Sequence, residues 1–168
     1  MGHSPPIRIR ALQAPDVPAL LDIIAAARTE YGMAGRLEAV LEPSDHDLVK
    51  TYQRGRSAYF VALDGSTVIG GAGIAPLTGS DHWTCELQRM YLRKDVRGRG
   101  VGSQLLNACT TAARAFGFRT CYAETIHQMQ EAIRFYVGSG FRPLDGPIGS
   151  TGHAHNDCWL LCDLTGAH

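Results

Sequence analysis

The residues Arg97-Gly98-Arg99-Gly100-Val101-Gly102-Ser103 join a strand-like run, Cys85 to Leu92, to an apolar-periodic stretch, Val101 to Phe116. A glycine-rich turn at such a junction is an anion site. The first backbone N–H groups of a helix have no intrahelical partner, and the helix dipole adds partial positive charge there, so a phosphate or pyrophosphate is favoured. Glycine lets the backbone approach the phosphate oxygens closely and adopt dihedrals that a Cβ forbids. Arg89, Arg93, Lys94, Arg97 and Arg99 fall within eleven residues around this turn, with only Asp95 opposing them, and the cluster reads as a set of phosphate contacts.

Spacing separates the phosphate ligands. The Walker pattern fails, because Gly98, Gly100 and Gly102 stand too close together and no Gly-Lys-Ser or Gly-Lys-Thr occurs. A dinucleotide fingerprint fits at Gly98 and Gly100, with Glu124 ending the next strand-like run, but its third glycine position is Ser103. It stays as a minor alternative. A metal is not expected: His153 and His155 stand at i and i+2, without structural-zinc spacing, and no second ligand pair follows. The five cysteines lack C-x-x-C spacing and read as reduced, buried small hydrophobes.

The elements that must position these residues alternate along the chain. Ile7 to Ala11 reads as a strand. Asp16 is a candidate N-cap for a helix carrying Val17, Leu20, Leu21 and Ile24 at helical spacing, which Tyr31-Gly32 ends. A weaker helix is expected from about Ser44 to Arg54, capped by Ser44. Ser57 to Leu63 and Thr67 to Ile74 form a hairpin on Asp64-Gly65-Ser66. After the central strand and the phosphate turn comes a helix burying Val101, Leu105, Leu106, Cys109, Ala112, Ala113 and Phe116, closed by Gly117. Arg119 to Thr125 is a strand, Gln130 to Ser139 a helix, Phe141 to Leu144 a strand, Gly146 to Asn156 a glycine-rich loop and Asp157 to Leu164 a last strand. Central strand, helix and next strand form a parallel βαβ unit between antiparallel hairpins, so the fold is an α/β sandwich on a mixed sheet.

The pattern R-x-x-G-x-G, at Arg97, Gly100 and Gly102, resembles the coenzyme A pyrophosphate signature of the GNAT family of N-acetyltransferases. Glu86 to Leu92 is similar to that family's central strand, and Ala132-Ile133-Arg134-Phe135-Tyr136 followed by Gly140-Phe141 to its second signature, A-x-x-x-Y-x-x-x-G-F. The three stand in family order across roughly residues 57 to 164, the cofactor-binding core, with residues 7 to 55 as an acceptor-side region of one acetyltransferase domain spanning 1–168.

The resemblance implies a mostly antiparallel sheet with a splayed central parallel pair, flanked by helices, and acetyl-coenzyme A as cosubstrate. The pantetheine arm would pair with the backbone of Met90, Tyr91 and Leu92, and the pyrophosphate would meet Arg97, Gly98, Arg99, Gly100, Val101, Gly102 and Ser103. Glu86 would be the base, Tyr136 the acid that protonates the departing thiolate, and a main-chain N–H near Met90 or Tyr91 the oxyanion donor. Many family members carry a cofactor-contacting asparagine where this chain has Met129. His153, in the segment bordering the acceptor site of that fold, is a substrate candidate, as by position are Glu30 and Tyr31. His46 and His127 are expected at the surface.

Composition narrows the partners. The chain has 168 residues, enough to bury roughly 70% of its unfolded surface in one core. Sixteen basic residues balance sixteen acidic ones, which argues against nucleic acid or a membrane surface as partner and gives no field to recruit a basic peptide tail. A small amine is the expected acceptor, with an acyl-coenzyme A-binding domain without turnover and a peptide N-acetyltransferase as alternatives. A homodimer is compatible with such a domain. No apolar run approaches a membrane span and Met1 to Arg10 is too polar for a signal peptide, so a cytoplasmic location is expected.

Overall fold

The computed structural model describes residues 6–32, 45 and 47–166. β1 (Arg8–Ala11) leads through a single 3-10 turn (Ala14–Asp16) into α1 (Val17–Glu30), and α2 (Leu48–Tyr52) precedes the hairpin of β2 (Ala58–Asp64) and β3 (Thr67–Pro76). Then follow β4 (Thr84–Leu92), α3 (Val101–Ala115), β5 (Thr120–Thr125), α4 (Gln130–Gly138), β6 (Arg142–Leu144) and β7 (Cys158–Asp163). Among the described residues the strands form one seven-stranded sheet in the order β1-β2-β3-β4-β5-β7-β6. Every pairing among the described residues is antiparallel except β4 with β5, as the βαβ reading requires.

Helices cover both faces, because β3, an interior strand of the sheet, is apolar on each side and must be shielded twice. α3 packs its Val101, Leu105, Leu106, Cys109 and Ala113 stripe with Ile69, Ile74, Leu87 and Leu160 on one face. On the other face α1 and α2 bury Leu20, Ile24, Leu48 and Tyr52 against Tyr59, Val61 and Val68. Each fully buried aliphatic side chain of this kind contributes about 1.5–3 kcal/mol relative to exposure. All five cysteines are free thiols; Cys85, Cys109, Cys121 and Cys162 are buried and Cys158 partly so.

Three local expectations are corrected. Asp16 does not cap α1. It lies inside the preceding turn at φ −78°, ψ −23°, where its carboxylate accepts the Gln13 N–H at 2.8 Å and a two-pronged bond from Arg10 at 2.6 and 2.9 Å. Pro15 and Pro18 bring no N–H to cap, so the chain turns earlier, at Gln13. Phe116, expected on the buried face of α3, is exposed: the helix stops at Ala115, Gly117 reverses the chain at φ +83°, and Phe118 takes the buried place under the Arg56 guanidinium, 3.9 Å from its ring centroid. The second helix is shorter than 44–54; its expected cap Ser44, like His46, lies outside the described residues.

The parallel pairing that sets the site is short. It joins Thr84–Glu86 to Thr120–Tyr122 and ends, so from Leu87 onward β4 pairs only with β3. On that β3 side the register slips between Gly71 and Gly73, and opposite the slip Arg89 adopts φ +48°. A non-glycine residue held there costs about 1–3 kcal/mol, and such strain persists only where its surroundings fix it. Here the Tyr59 hydroxyl donates to the Arg89 carbonyl at 2.8 Å.

Candidate active site

Where β4 parts from β5, a cleft of about 700 Å³ opens between β4, α3 and α4. Met90, Tyr91 and Leu92 line it from β4, Arg97, Gly98, Gly100, Gly102 and Ser103 from the turn into α3, and Met129, Ala132, Phe135 and Tyr136 from α4. The turn is built for an anion. Gly100, the N-cap of α3, sits at φ +79° and supplies no side-chain cap, and the first intrahelical bond runs from the Gln104 N–H to the Gly100 carbonyl at 3.2 Å. The N–H groups of Val101, Gly102 and Ser103 are therefore left without intrahelical acceptors. A Cβ on Gly102 would lie 3.4 Å from both Met90 Cε and the Phe135 ring, so any larger side chain there intrudes on the cleft. Val101 is fully buried and can offer only its backbone, and Arg99 is exposed beside the turn.

The arginines do not act as one cluster. Arg97 lines the cleft but is held by Glu30, with Nη1 and Nη2 each 2.9 Å from a carboxylate oxygen, and Nη2 also donates to the Leu92 carbonyl at 3.3 Å. Hydrogen bonding from Arg97, then its charge and that of Lys94, hold the Glu30 carboxyl below the usual carboxylate range. Arg93 pairs with Asp95 at 2.6 Å. Arg89, tallied above with the phosphate contacts, turns to the opposite face: its Nε donates to Asp45 at 2.6 Å and its Nη1 to the Tyr52 hydroxyl at 3.0 Å. The bulge re-aims it, and no pattern in the sequence reports a bulge. Glu30 and Tyr31, singled out above for the acceptor side, both stand beside Arg97; Tyr31 lines the cleft with the Arg97 guanidinium 6.0 Å from its ring centroid.

Tyr136 lies on α4 with its ring between Phe135 and Phe141, at centroid distances of 5.6 and 5.5 Å. It is buried yet borders the cleft, and burial pushes its phenol up, so the proton stays on through neutral pH. Glu86 is also buried, farther along β4 where the strands still pair. Its Oε2 accepts from Gln88 Nε2 at 2.6 Å. Burial raises its carboxyl above the usual range; Glu124 adds to the rise, while Gln88, His153 and Arg89 oppose it.

His153 is brought to these carboxylates, its Nδ1 3.4 Å from Glu124 Oε1 and its ring 6.0 Å from that of His155. Glu124, noted above only as the end of a strand in the dinucleotide alternative, accepts from Tyr122 at 2.8 Å, Asn156 at 3.2 Å and the Thr151 hydroxyl. Glu86, Glu124 and His153 each offer a ligand atom within 4.8 Å of the others, the set among the described residues that could gather around a cation. Protein donors already meet both Glu124 oxygens, Tyr122 on Oε2 and Thr151 and Asn156 on Oε1. The sequence treated these residues separately, because β5 and the loop after β6 meet only through the β5–β7 pairing.

A sheet opened between two parallel strands beside a glycine-bounded helix N-terminus defines an α/β acyltransferase, and known proteins agree. Residues 20–141 match the Acetyltransferase (GNAT) family. The uncharacterized N-acetyltransferase YjgM of Escherichia coli K12 is 38% identical over 163 residues, covering 96% of each chain. A GNAT-family acetyltransferase of Staphylococcus aureus Mu50 superposes with a TM-score of 0.84 at 19% identity, over 95% of this chain and all of that one. YncA of Salmonella typhimurium, solved with its cofactor acetyl-coenzyme A, gives 0.76 at 19% identity over 96% and 95% of the two chains. The chain belongs to the GNAT family of acetyltransferases. No helix among the described residues is long and apolar enough to cross a membrane.

Proposed function

We propose that this protein transfers the acetyl group of acetyl-coenzyme A to the amine of a small molecule by direct attack. The observation that carries this reading is the cleft itself, bounded by an unpaired strand edge, an uncapped helix N-terminus and a protonated phenol. Pantetheine amides would complete the β4 edge at Met90 to Leu92, and the pyrophosphate would take the free N–H groups of Val101 to Ser103 with Arg97 beside them. A phosphate arriving there competes with Glu30 for Arg97.

In the reaction the amine nitrogen forms a bond to the thioester carbon and loses a proton, and the carbon–sulfur bond then breaks. Glu86 takes that proton, through a water, because it lies beyond the residues lining the cleft. Its raised affinity for a proton brings it closer to the range in which a base is useful. Tyr136 donates the proton that the coenzyme A thiolate acquires. A main-chain N–H at Met90 or Tyr91 faces the developing oxyanion.

Support for a small acceptor comes from the segment 146–156. The Ser150 N–H donates to the Thr78 carbonyl at 2.7 Å, Thr151 and Asn156 to Glu124, and the neighbouring Asp157 accepts the His127 N–H at 2.6 Å. A loop tied down in this way is fixed beside Glu86 and Glu124, and we read it as one wall of the acceptor site, where a few placed polar groups suit a small ligand. We read the chain as one catalytic domain, since α1 and α2 pack on the same sheet as α3. Thiol release from acetyl-coenzyme A across a panel of amino acids, polyamines and aminoglycoside-type amines tests the reading. Acceptor-dependent release is expected; binding of acetyl-coenzyme A without release for any amine, protein or peptide would leave a non-catalytic binding domain instead.

A further inference from the structure

From the polarity of a buried hydrogen-bond chain we infer that Asp45, Arg89, Tyr52 and Gln88 are positioning residues that pin Glu86 and present it as an ionised acceptor toward the active site. The inference rests on the assignment of Glu86 as base. Arg89 starts the chain, and a guanidinium can only donate. It gives Nη1–H to the Tyr52 oxygen at 3.0 Å, and the Tyr52 hydroxyl spends its own proton on Gln88 Oε1 at 2.8 Å. The Gln88 amide is thereby fixed with its oxygen toward Tyr52, so its Nε2 donates to Glu86 Oε2 at 2.6 Å. Every proton in the chain points toward Glu86.

Two features keep this direction from reversing. Burial pushes the Tyr52 phenol up to about 12, so it remains a donor at any working pH. Arg89 is locked at its far side by Asp45, fully buried, which takes Arg89 Nε on one oxygen and Arg28 Nη1 on the other, each at 2.6 Å. Arg28 in turn donates to the Tyr91 hydroxyl at 3.3 Å, so the clamp holds the β4 bulge at both ends. The chain joins residues 36 and 44 positions apart, linking the region around α2 to the strand that carries Glu86. Since Gln88 donates to Oε2, a proton gained by Glu86 goes to Oε1.

The groups around Glu86 on each packed element are Gln88 and Arg89 of β4, Tyr52 of α2, Tyr122 and Glu124 of β5, and His153 of the loop before β7. Removing the Tyr52 hydroxyl leaves those charges in place, releases the Gln88 amide and takes one acceptor from the Arg89 guanidinium. Carbon-13 NMR titration of the Glu86 carboxyl in Tyr52→Phe should move its midpoint up by about half to one pH unit. The acidic limb of kcat/KM should follow, with acetyl-coenzyme A affinity unchanged within about twofold. Gln88→Leu should move the midpoint at least as far, and the double variant no further. Where Tyr52→Phe fails to fold, Gln88→Leu carries the test. An unmoved Glu86 midpoint in the folded variants overturns the inference, whatever happens to activity. A shifted midpoint with an unmoved limb, together with normal turnover of Glu86→Gln, leaves the positioning intact and refutes Glu86 as the base.

Discussion

Tyr136→Phe removes one oxygen atom and leaves the packing intact, which makes it the sharpest separation of chemistry from binding. The ring stays between Phe135 and Phe141, so the substitution leaves its packing in place. Thermal stability should therefore hold within about 0.5 kcal/mol, the range of substitutions that break no contact. The hydroxyl contributes little contact area to a cleft of about 700 Å³, so acetyl-coenzyme A affinity should change less than about threefold. A positioned general acid is worth about 10² to 10⁴ in rate, or about 2.7 to 5.4 kcal/mol at 1.36 kcal/mol per tenfold. Calorimetric affinity and single-turnover acetyl transfer, measured on the same preparation, give both numbers. Turnover within about threefold of the parent would refute the assignment and return Tyr136 to the core. A proportional loss of affinity and turnover would equally refute it, since the residue would then act on binding.

Gly100→Val forces a β-branched residue to φ +79°, and Gly102→Val puts methyl groups into the cleft beside Met90 and Phe135; both should abolish acetyl-coenzyme A binding in calorimetry while the far-ultraviolet circular dichroism stays native. Arg97→Ala should weaken cofactor binding with a flatter salt dependence, whereas Glu30→Gln, which frees Arg97 from its carboxylate partner, should tighten it severalfold at low salt. Because the Glu86 carboxyl is raised and must be ionised to accept a proton, kcat/KM should fall as pH drops through a midpoint above the ordinary glutamate value; a profile flat down to pH 4.5 would contradict the base assignment.

How far the residues themselves disclosed this arrangement depends on the range of the interaction. The phosphate turn was legible because its chemistry is local: Gly100 at positive φ and the free N–H groups of α3 follow from six consecutive residues. The parallel β4–β5 pair was legible because a helix must connect parallel strands. Arg89 was not, since adjacency in sequence placed it with Arg93 and Arg97 and only the register slip against Gly71–Gly73 turns it to Asp45. Glu30 was visible as the end of a helix and invisible as the partner of Arg97, sixty-seven residues away. The Glu86–Glu124–His153 cluster had the same fault: its members sit on β4, β5 and the loop before β7, and only the sheet order makes them neighbours. Phe116 shows the limit of periodicity, which continues on paper past the residue where Gly117 ends the helix.

The central claim is that the acceptor is a free small amine, and a one-pot competition tests it most directly. The protein, limiting acetyl-coenzyme A, a lysine-peptide library and an equimolar mixture of amino acids, polyamines and aminoglycoside-type amines would be resolved by mass spectrometry. One or a few small amines should carry nearly all the acetyl groups, in stoichiometry with free coenzyme A, and the peptides almost none. Acetylation confined to the peptides would contradict the account.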